Sequence, residues 1–484
     1  MLNQFLSRVV RGKTRPVSQA RANSDIIPWS SLVRSSFILT TVALAFAATS
    51  TPTLAQNTLA QRVARAPDGV VHVQFIGRPL VCGDGRDLIG YRKALFAKSF
   101  QSIGNWNAPT CRPGPVRVAL TVDNGKVTRL ETSVSGGWPR ATEPWTILCR
   151  CPRVTDLATI TSSEAAAFFF GIIPQLERSG LGGDKSRFLL PAVLADDPST
   201  LPRLISLARD NARLEETRRQ AIQWIGLLGD ASVVPILVEF ARGGGASPAG
   251  EDIDVDDEAP GKKGLATTAM AALSTIEDGV GVPALIELAR SGTSGTRGAA
   301  VFWLGQTGDR RAFAALHGVI ENAREDERIR SHAIFSMSHG GNTPDLEFAY
   351  LRALYPRVTS TKMKEAILMG MGEDESGGST WLIDRARDTG EQIAMRKNAL
   401  FWAGQKKSTP TKDLVAYYHD ISEPTMREQM IFVLSQRDDD ASLNELMRIA
   451  RDDSDRQMRS RALFWLGQKD DPRVTKMIGD RVLR

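Results

Sequence analysis

Between residues 181 and 484, apolar positions gather on one helical face, and that face returns about every 32 residues. The clearest copies are AAVFWLGQ (299–306), NALFWAGQ (398–405) and RALFWLGQ (461–468). Aligned on the residue before the aromatic pair, the register positions are Ala221, Ala269, Ala300, Ala333, Ala366, Ala399, Met430 and Ala462. Their spacings are 48, 31, 33, 33, 33, 31 and 32 residues, the long one containing an inserted loop at 243–264. A degenerate copy around Phe188 extends the array and is placed to cap it. Positions 0, +3 and +4 share a helical face and predict a buried stripe, with Trp224, Trp303, Trp402 and Trp465 at +3. At +5 stand Gly226, Gly305, Gly404 and Gly467, suited to a helix end and the tight turn after it. Gln306, Gln405, Gln436 and Gln468 follow, where an amide can bond free terminal carbonyls. A second helix then starts, as in DPRVTKMIGDRVL (471–483), with Asp471 as N-cap and Pro472 in the first position. Helix, short turn and helix repeated in this way predict an α-solenoid, roughly 80–90 Å long at ~10 Å per layer.

Upstream the period changes to two. PVRVALTVDNGKVTRLETSV (115–134) reads as two strands joined at Asn124-Gly125. Val116, Val118, Leu120 and Val122 share one face, with Leu130, Thr132 and Val134 opposite. VVHVQF (70–75) is a further β-branched run, and Trp106, Trp138 and Trp145 are candidates for the core. The predicted fold class is therefore mainly α, an α-solenoid preceded by a small disulfide-containing β-rich domain. Residues 56–152 form the β-rich domain, 153–180 a helical connector and 181–484 the solenoid.

Residues 1–55 predict an export signal. Six basic residues precede the apolar run SFILTTVALAFAA (36–48), and TPTLA before Gln56 suits cleavage after Ala55. The run is short for a bilayer span, so no stable membrane span is expected after cleavage. Removing the segment takes away six cations and one acid, so the formal charge of +6 falls to about +1. The basic balance that suggested nucleic acid leaves with the signal, and no nucleic-acid partner is expected. The predicted location is periplasmic or secreted.

An exported chain makes disulfides the reading for Cys82, Cys111, Cys149 and Cys151, which lie within one 70-residue window. Cys82–Cys111 is the preferred first bond. Three residues before the register position lie Arg218, Arg297, Arg330, Arg396, Arg427 and Arg459, with acids such as Glu325, Asp326, Asp453 and Asp455 just upstream of the repeats. This pattern is read as an arginine–carboxylate ladder tying repeats together, in preference to a basic strip for an anionic ligand. The tryptophans are likewise read as core in preference to an aromatic ligand box.

Catalytic patterns are scarce. GLGGDKS (180–186) lacks the glycine before lysine of a phosphate loop, and His332, His339 and His317 have no third close ligand in sequence. The acidic insert EDIDVDDE (251–258) has Asp257 where a calcium loop needs glycine. No catalytic, cofactor-binding or metal site is assigned, and no cofactor is expected.

IRSHAIFSM, MRKNALFWAGQ and MRSRALFWLGQKDDPRV resemble HEAT repeats of the short bacterial kind named after phycobilisome lyases. The resemblance covers about residues 181–484 and implies an α-solenoid that binds protein or peptide. It transfers no lyase site. The expected function is a non-enzymatic interaction scaffold or adaptor in the bacterial cell envelope. The alternative is a ligand-sensing or surface-binding β domain, or a thiol-redox factor, with the repeats used for docking.

Overall fold

A computed structural model describes residues 58–86, 88–91, 94–96, 111–138, 153–178, 188–243, 264–340, 345–375 and 377–482. Residues 1–55, expected to direct export, together with Trp106, Trp145, Cys149, Cys151, the 180–186 stretch and the acidic run 251–258, lie outside them.

Asn124 (φ 49°) and Gly125 (φ 71°) turn the chain between β6 (Val116–Asp123) and β7 (Lys126–Val134). Both residues are left-handed, as a two-residue hairpin matching strand twist requires. Val118 faces Thr132 and Leu120 faces Leu130, so the alternating pattern buries one side. β1 (Gly69–Phe75) runs antiparallel to β6, giving the sheet its apolar centre at Val71, Val73 and Phe75.

On the other side of β1 lies β8 (Val154–Thr159), paired in parallel. The segment expected as a helical connector from residue 153 thus begins as an edge strand. Only Val154, Leu157 and Ala158 in it are apolar, and its partner is some 80 residues away, so no local period announces it. Helical spacing starts at α2 (Ser162–Arg178), which lays the buried Phe169 against Phe75 with ring centroids 6.2 Å apart. The short α1 (Leu59–Ala64) contributes Leu59 and Val63 to the same core. Trp138, expected in that core, is half-exposed and stacks on His72 at 4.0 Å.

A second sheet has the order β4–β3–β2–β5: β2 (Val81–Gly83), β3 (Ile89–Tyr91), β4 (Ala94–Phe96) and β5 (Arg112–Pro113). These strands have two or three residues each, too few to hold together alone. The Cys82–Cys111 disulfide, with Cα atoms 5.2 Å apart, clips β2 to the residue before β5.

Two short helices, α3 (Leu190–Leu194) and α4 (Thr200–Arg209), lead into the array. Arg78 fastens the β domain to α3: its Nε donates to the Val193 carbonyl at 2.7 Å, its Nη2 to Ala195 at 2.8 Å and its backbone N–H to Leu194 at 2.8 Å.

Eight helix pairs follow. The first helices are α5 (Glu215–Leu228), α7 (Leu265–Thr275), α9 (Ser294–Gln306), α11 (Glu327–Ser338), α13 (Thr361–Met371), α15 (Ile393–Gln405), α17 (Pro424–Ser435) and α19 (Arg456–Leu466). The second helices are α6 (Val234–Ala241), α8 (Val282–Ser291), α10 (Arg310–Glu321), α12 (Asp345–Leu354), α14 (Gly378–Arg387), α16 (Thr411–Asp420), α18 (Asp440–Asp452) and α20 (Pro472–Val482). Aspartates start many of them: Asp309, Asp326, Asp439 and Asp455 each accept a backbone N–H of the first turn. Asp471 Oδ1 accepts from the Arg473 N–H at 2.8 Å, immediately before Pro472 opens α20.

All eight register residues are buried in first helices. The buried stripe runs at 0, +1 and +4: Ile222, Val301, Ile334, Leu400 and Ile431 at +1, Ile225, Leu304, Met337 and Leu434 at +4. Position +3 is mixed. Trp224, Ala272, Ser336 and Val433 are buried there, while Trp303, Trp402 and Trp465 are half-buried against the core, so the expected stripe holds at 0 and +4 and extends to +1.

The glycines at +5 differ more. Gly226, Gly305 and Gly404 lie inside the last turn of their helices rather than beyond it. A Cβ on Gly226 would sit 2.7 Å from Ala272 Cβ; on Gly305 it would strike the Ser336 carbonyl, and on Gly404 the Val433 side chain. Each partner is the +3 residue of the next first helix, so these glycines set how closely successive repeats approach.

Candidate functional site

The −3 arginines point along the array. Nε of Arg218, Arg330 and Arg396 donates to the carbonyl ten residues back, on Ala208 (2.9 Å), Ile320 (2.8 Å) and Ala386 (3.0 Å). These carbonyls end the preceding second helices, where acceptors lack helical partners. The guanidinium then crosses to the next repeat. Arg396 holds Glu423 bidentately at 2.6 and 2.9 Å, Arg297 pairs with Glu325 at 3.0 Å, and Arg427 pairs with Asp453. The Tyr418 hydroxyl also donates to Asp453, at 2.7 Å, and its own pKa is pushed up, chiefly by burial. Among the described residues, Arg459 of α19 donates to the Asp453 and Ser454 carbonyls, at 2.7 and 3.0 Å, and to no carboxylate.

A second basic row, at +7, escaped the sequence reading. Lys406 Nζ donates to the Gly372 carbonyl at 2.6 Å, Arg437 Nη1 to Gly404 at 2.8 Å, and Lys469 Nζ to Arg437 at 3.1 Å. Each cation closes the C-terminal end of the preceding first helix, where both the free carbonyl and the helix dipole favour it. Burial lowers the Lys406 pKa, against the opposing pull of Glu375 and Asp374. These carbonyls are the ones expected to take the glutamine amides. Gln436 Nε2 instead donates to Ser435 Oγ at 3.2 Å. The signal available in sequence was the basic residue following Gln405, Gln436 and Gln468.

With the cations turned inward, the first-helix rank presents aromatic rings at +2. Phe302 stacks on His332 (centroids 6.1 Å), His332 on Phe335 (6.1 Å) and Phe335 on His339 (4.1 Å). Further along, Phe401 stacks on Phe432 (6.2 Å), which tilts against Trp465 (5.2 Å). Phe302, Phe335, Phe401 and Phe432 are half-buried, and Phe464 at the end is 57 % exposed. These rings form a partly exposed aromatic strip on one side of the array.

His332 is held within that strip, and burial lowers its pKa to about 4. Unfolded, a histidine titrates near ~6.5. Between these values the unfolded chain binds the extra proton, so stability is intact above about pH 6.5 and is lost as pH falls toward about 4, by at most ~1.4 kcal/mol per unit. Urea midpoints measured at about pH 7 and about pH 5 should separate in the wild type and draw closer in His332→Phe, with His72 and His339, whose pKa values burial also lowers, keeping part of the separation. An equal separation in the variant would remove His332 as the cause.

Among the described residues, no group of three or more His, Cys, Asp or Glu could hold a metal ion, and no helix is long and apolar enough to cross a membrane. The β domain has an open groove of about 360 Å³ lined by Ile76, Leu80, Pro113 and Pro115, where Ile76 and Leu80 are largely exposed.

The family model for the PBS lyase HEAT-like repeat matches residues 296–322, which span α9 and α10. No curated protein matches the chain. Among solved structures, human deoxyhypusine hydroxylase in complex with glycerol is similar at 17 % identity, over 44 % of this chain and 96 % of that one, with a TM-score of 0.21. The CpcE–CpcF complex of phycocyanin lyase from Nostoc sp. PCC7120 is similar at 17 % identity, over 59 % and 95 %, with a TM-score of 0.24. Likenesses at that level carry no argument about function. One helix pair matched by the family model, with seven more built on the same register, makes this chain a HEAT-like repeat protein.

Proposed function

We propose that the chain is a non-enzymatic interaction scaffold of the bacterial cell envelope, exported by its N-terminal segment, that takes a protein or peptide along the first-helix rank. The aromatic strip carries this reading. Rings of Phe302 and Phe335, and of Phe401, Phe432 and Phe464, stand at +2 in five of the eight described pairs and remain open to contact, with the buried Leu368 between the two groups. Aromatic side chains, phenylalanine among them, are enriched at the cores of protein interfaces relative to the rest of the surface. The −3 arginines and the +7 cations are occupied by carbonyls and carboxylates of the array itself, which disfavours an anionic ligand on this side.

The test is site-specific photo-crosslinking in the exporting host. Benzoylphenylalanine at Phe302 or Phe432 should give one discrete adduct in the envelope fraction. The same group at Leu346, on exposed α12, should give none. Equal labelling at all three positions, or a protein retained in the cytoplasm with residues 1–55 attached, defeats the proposal. The groove at Ile76 and Leu80 favours a second reading, a surface-binding β domain. An adduct confined to those two positions would select it.

A further inference from the structure

Two junctions, α15 under α17 and α9 under α11, show how a first helix bearing an arginine, a phenylalanine and a glycine is covered by the next. Glu423, the residue before α17, grips Arg396 bidentately. Phe432 stacks on Phe401, and Val433 fills the space beside Gly404. Where α11 covers α9, Glu325 pairs with Arg297, His332 stacks on Phe302, and Ser336 lies on Gly305. The covering helix thus has three parts: a carboxylate at its start, a ring over the phenylalanine, and a small or β-branched residue ten or eleven positions after the carboxylate.

α19 carries the same motif as α15, RALFWLGQ against NALFWAGQ, and its outer face is bare. Phe464 is 57 % exposed where Phe401 is half-buried, and Gly467 is exposed where Gly404 is buried. A Cβ on Gly467 would meet nothing but its own helix's carbonyls, at 3.5 Å. Among the described residues, Arg459 has carbonyl acceptors but no carboxylate, and no side chain of a following helix covers Phe464 or Gly467.

We propose that the outer face of α19 binds an amphipathic helix from a partner protein, one that begins with a carboxylate for Arg459 and places a small or β-branched residue on Gly467. The bound helix continues the array by one layer, using the same contacts that the chain makes internally. This deepens the scaffold reading by specifying the chemistry of one partner, at a place distinct from the lateral strip.

The chain contains a probe of the required kind, ISEPTMREQMIFVLSQ (421–436). Short helices are marginal in water, so the peptide is lactam-stapled on its solvent face, labelled, and titrated into the full chain by fluorescence anisotropy. Saturable 1:1 binding is expected. Gly467→Leu and Arg459→Glu in the protein should each weaken it about tenfold or more, as loss of close packing or of a charge-assisted pair requires. A peptide with Glu423→Arg should bind poorly to the wild type and recover on Arg459→Glu. Absence of saturable binding, or equal affinity for both protein variants, overturns the proposal. So does a stable dimer of the chain that cross-links through position 464, which would make a second copy the occupant. The titration reads the end face alone, whereas crosslinking at Phe302 reads the strip, so failure of one is distinguishable from failure of the other.

Discussion

Gly305→Leu should cost the array about 3 kcal/mol or more, whereas the same change at Gly467 should leave stability within ~0.5 kcal/mol. Both glycines occupy the +5 position of an FWLGQ motif, so sequence alone treats them alike. Their surroundings do not. A Cβ at Gly305 runs into the backbone carbonyl of Ser336, in the last turn of α11, and helical backbone can give way there only by shifting that turn. At Gly467 the added carbon enters open space at an ordinary right-handed helix cap, φ −62°. Gly404 offers an intermediate case because its neighbour is the Val433 side chain. There Gly404→Ala should be rescued in part by Val433→Ala, with a coupling of ~1 kcal/mol or more in a double-mutant cycle. Thermal melts of the five variants, the double one included, checked by amide exchange for local opening, decide the matter. An equal loss at Gly305 and Gly467 would mean that these glycines act through helix propensity and turns, not through the approach of successive repeats.

That contrast shows how far the sequence could be read. The 32-residue register, the helix pairs and the Asn124-Gly125 hairpin were legible because each rests on residues near one another in the chain, where periodicity and turn chemistry act. The arginine row was legible too, since its acids fall within the few residues before the next first helix. Other features depended on what the partner element supplied. β8 is a strand because β1 offers a free edge. Phe464 is exposed because no ninth pair covers it among the described residues, although its local sequence nearly matches that around Phe401. The +7 cations were hidden for a related reason. Their acceptors are main-chain carbonyls about 32 residues back, and a carbonyl leaves no mark in a sequence. The candidate site was therefore the least legible part. Which aromatic rings stay open is decided by what covers each one, so Trp303 and Trp402 are half-buried beside Phe302 and Phe401 while Trp224, at the same +3 position, is buried.

Loss of the Cys82–Cys111 bond should act at a distance, though only along one end of the array. The bond closes a loop of 29 residues, for which chain entropy assigns about 3–4 kcal/mol. The sheet it clips has strands of two or three residues and little else to hold it. β3 ends on Tyr91, whose ring lies against Trp224 of α5 with centroids 6.1 Å apart, so the clipped sheet covers the first repeat. In an array where each repeat contacts only its neighbours, removing a cap loosens the adjoining units first and the far ones least. Reduction, or Cys82→Ser with Cys111→Ser, should therefore speed amide exchange through β2–β5 and on into α3, α4 and α5. Protection in α15–α20 should be unchanged. Arg78 limits the damage, because its three hydrogen bonds to α3 come from the segment after β1 and do not cross the disulfide. Arg78→Ala added to the cysteine variant should consequently extend the fraying by further helices, while Arg78→Ala alone should open α3 with the second sheet still protected. Uniform acceleration over all eight pairs would show instead that the array unfolds as one cooperative block, and the β domain would then be its keystone and not merely its cap.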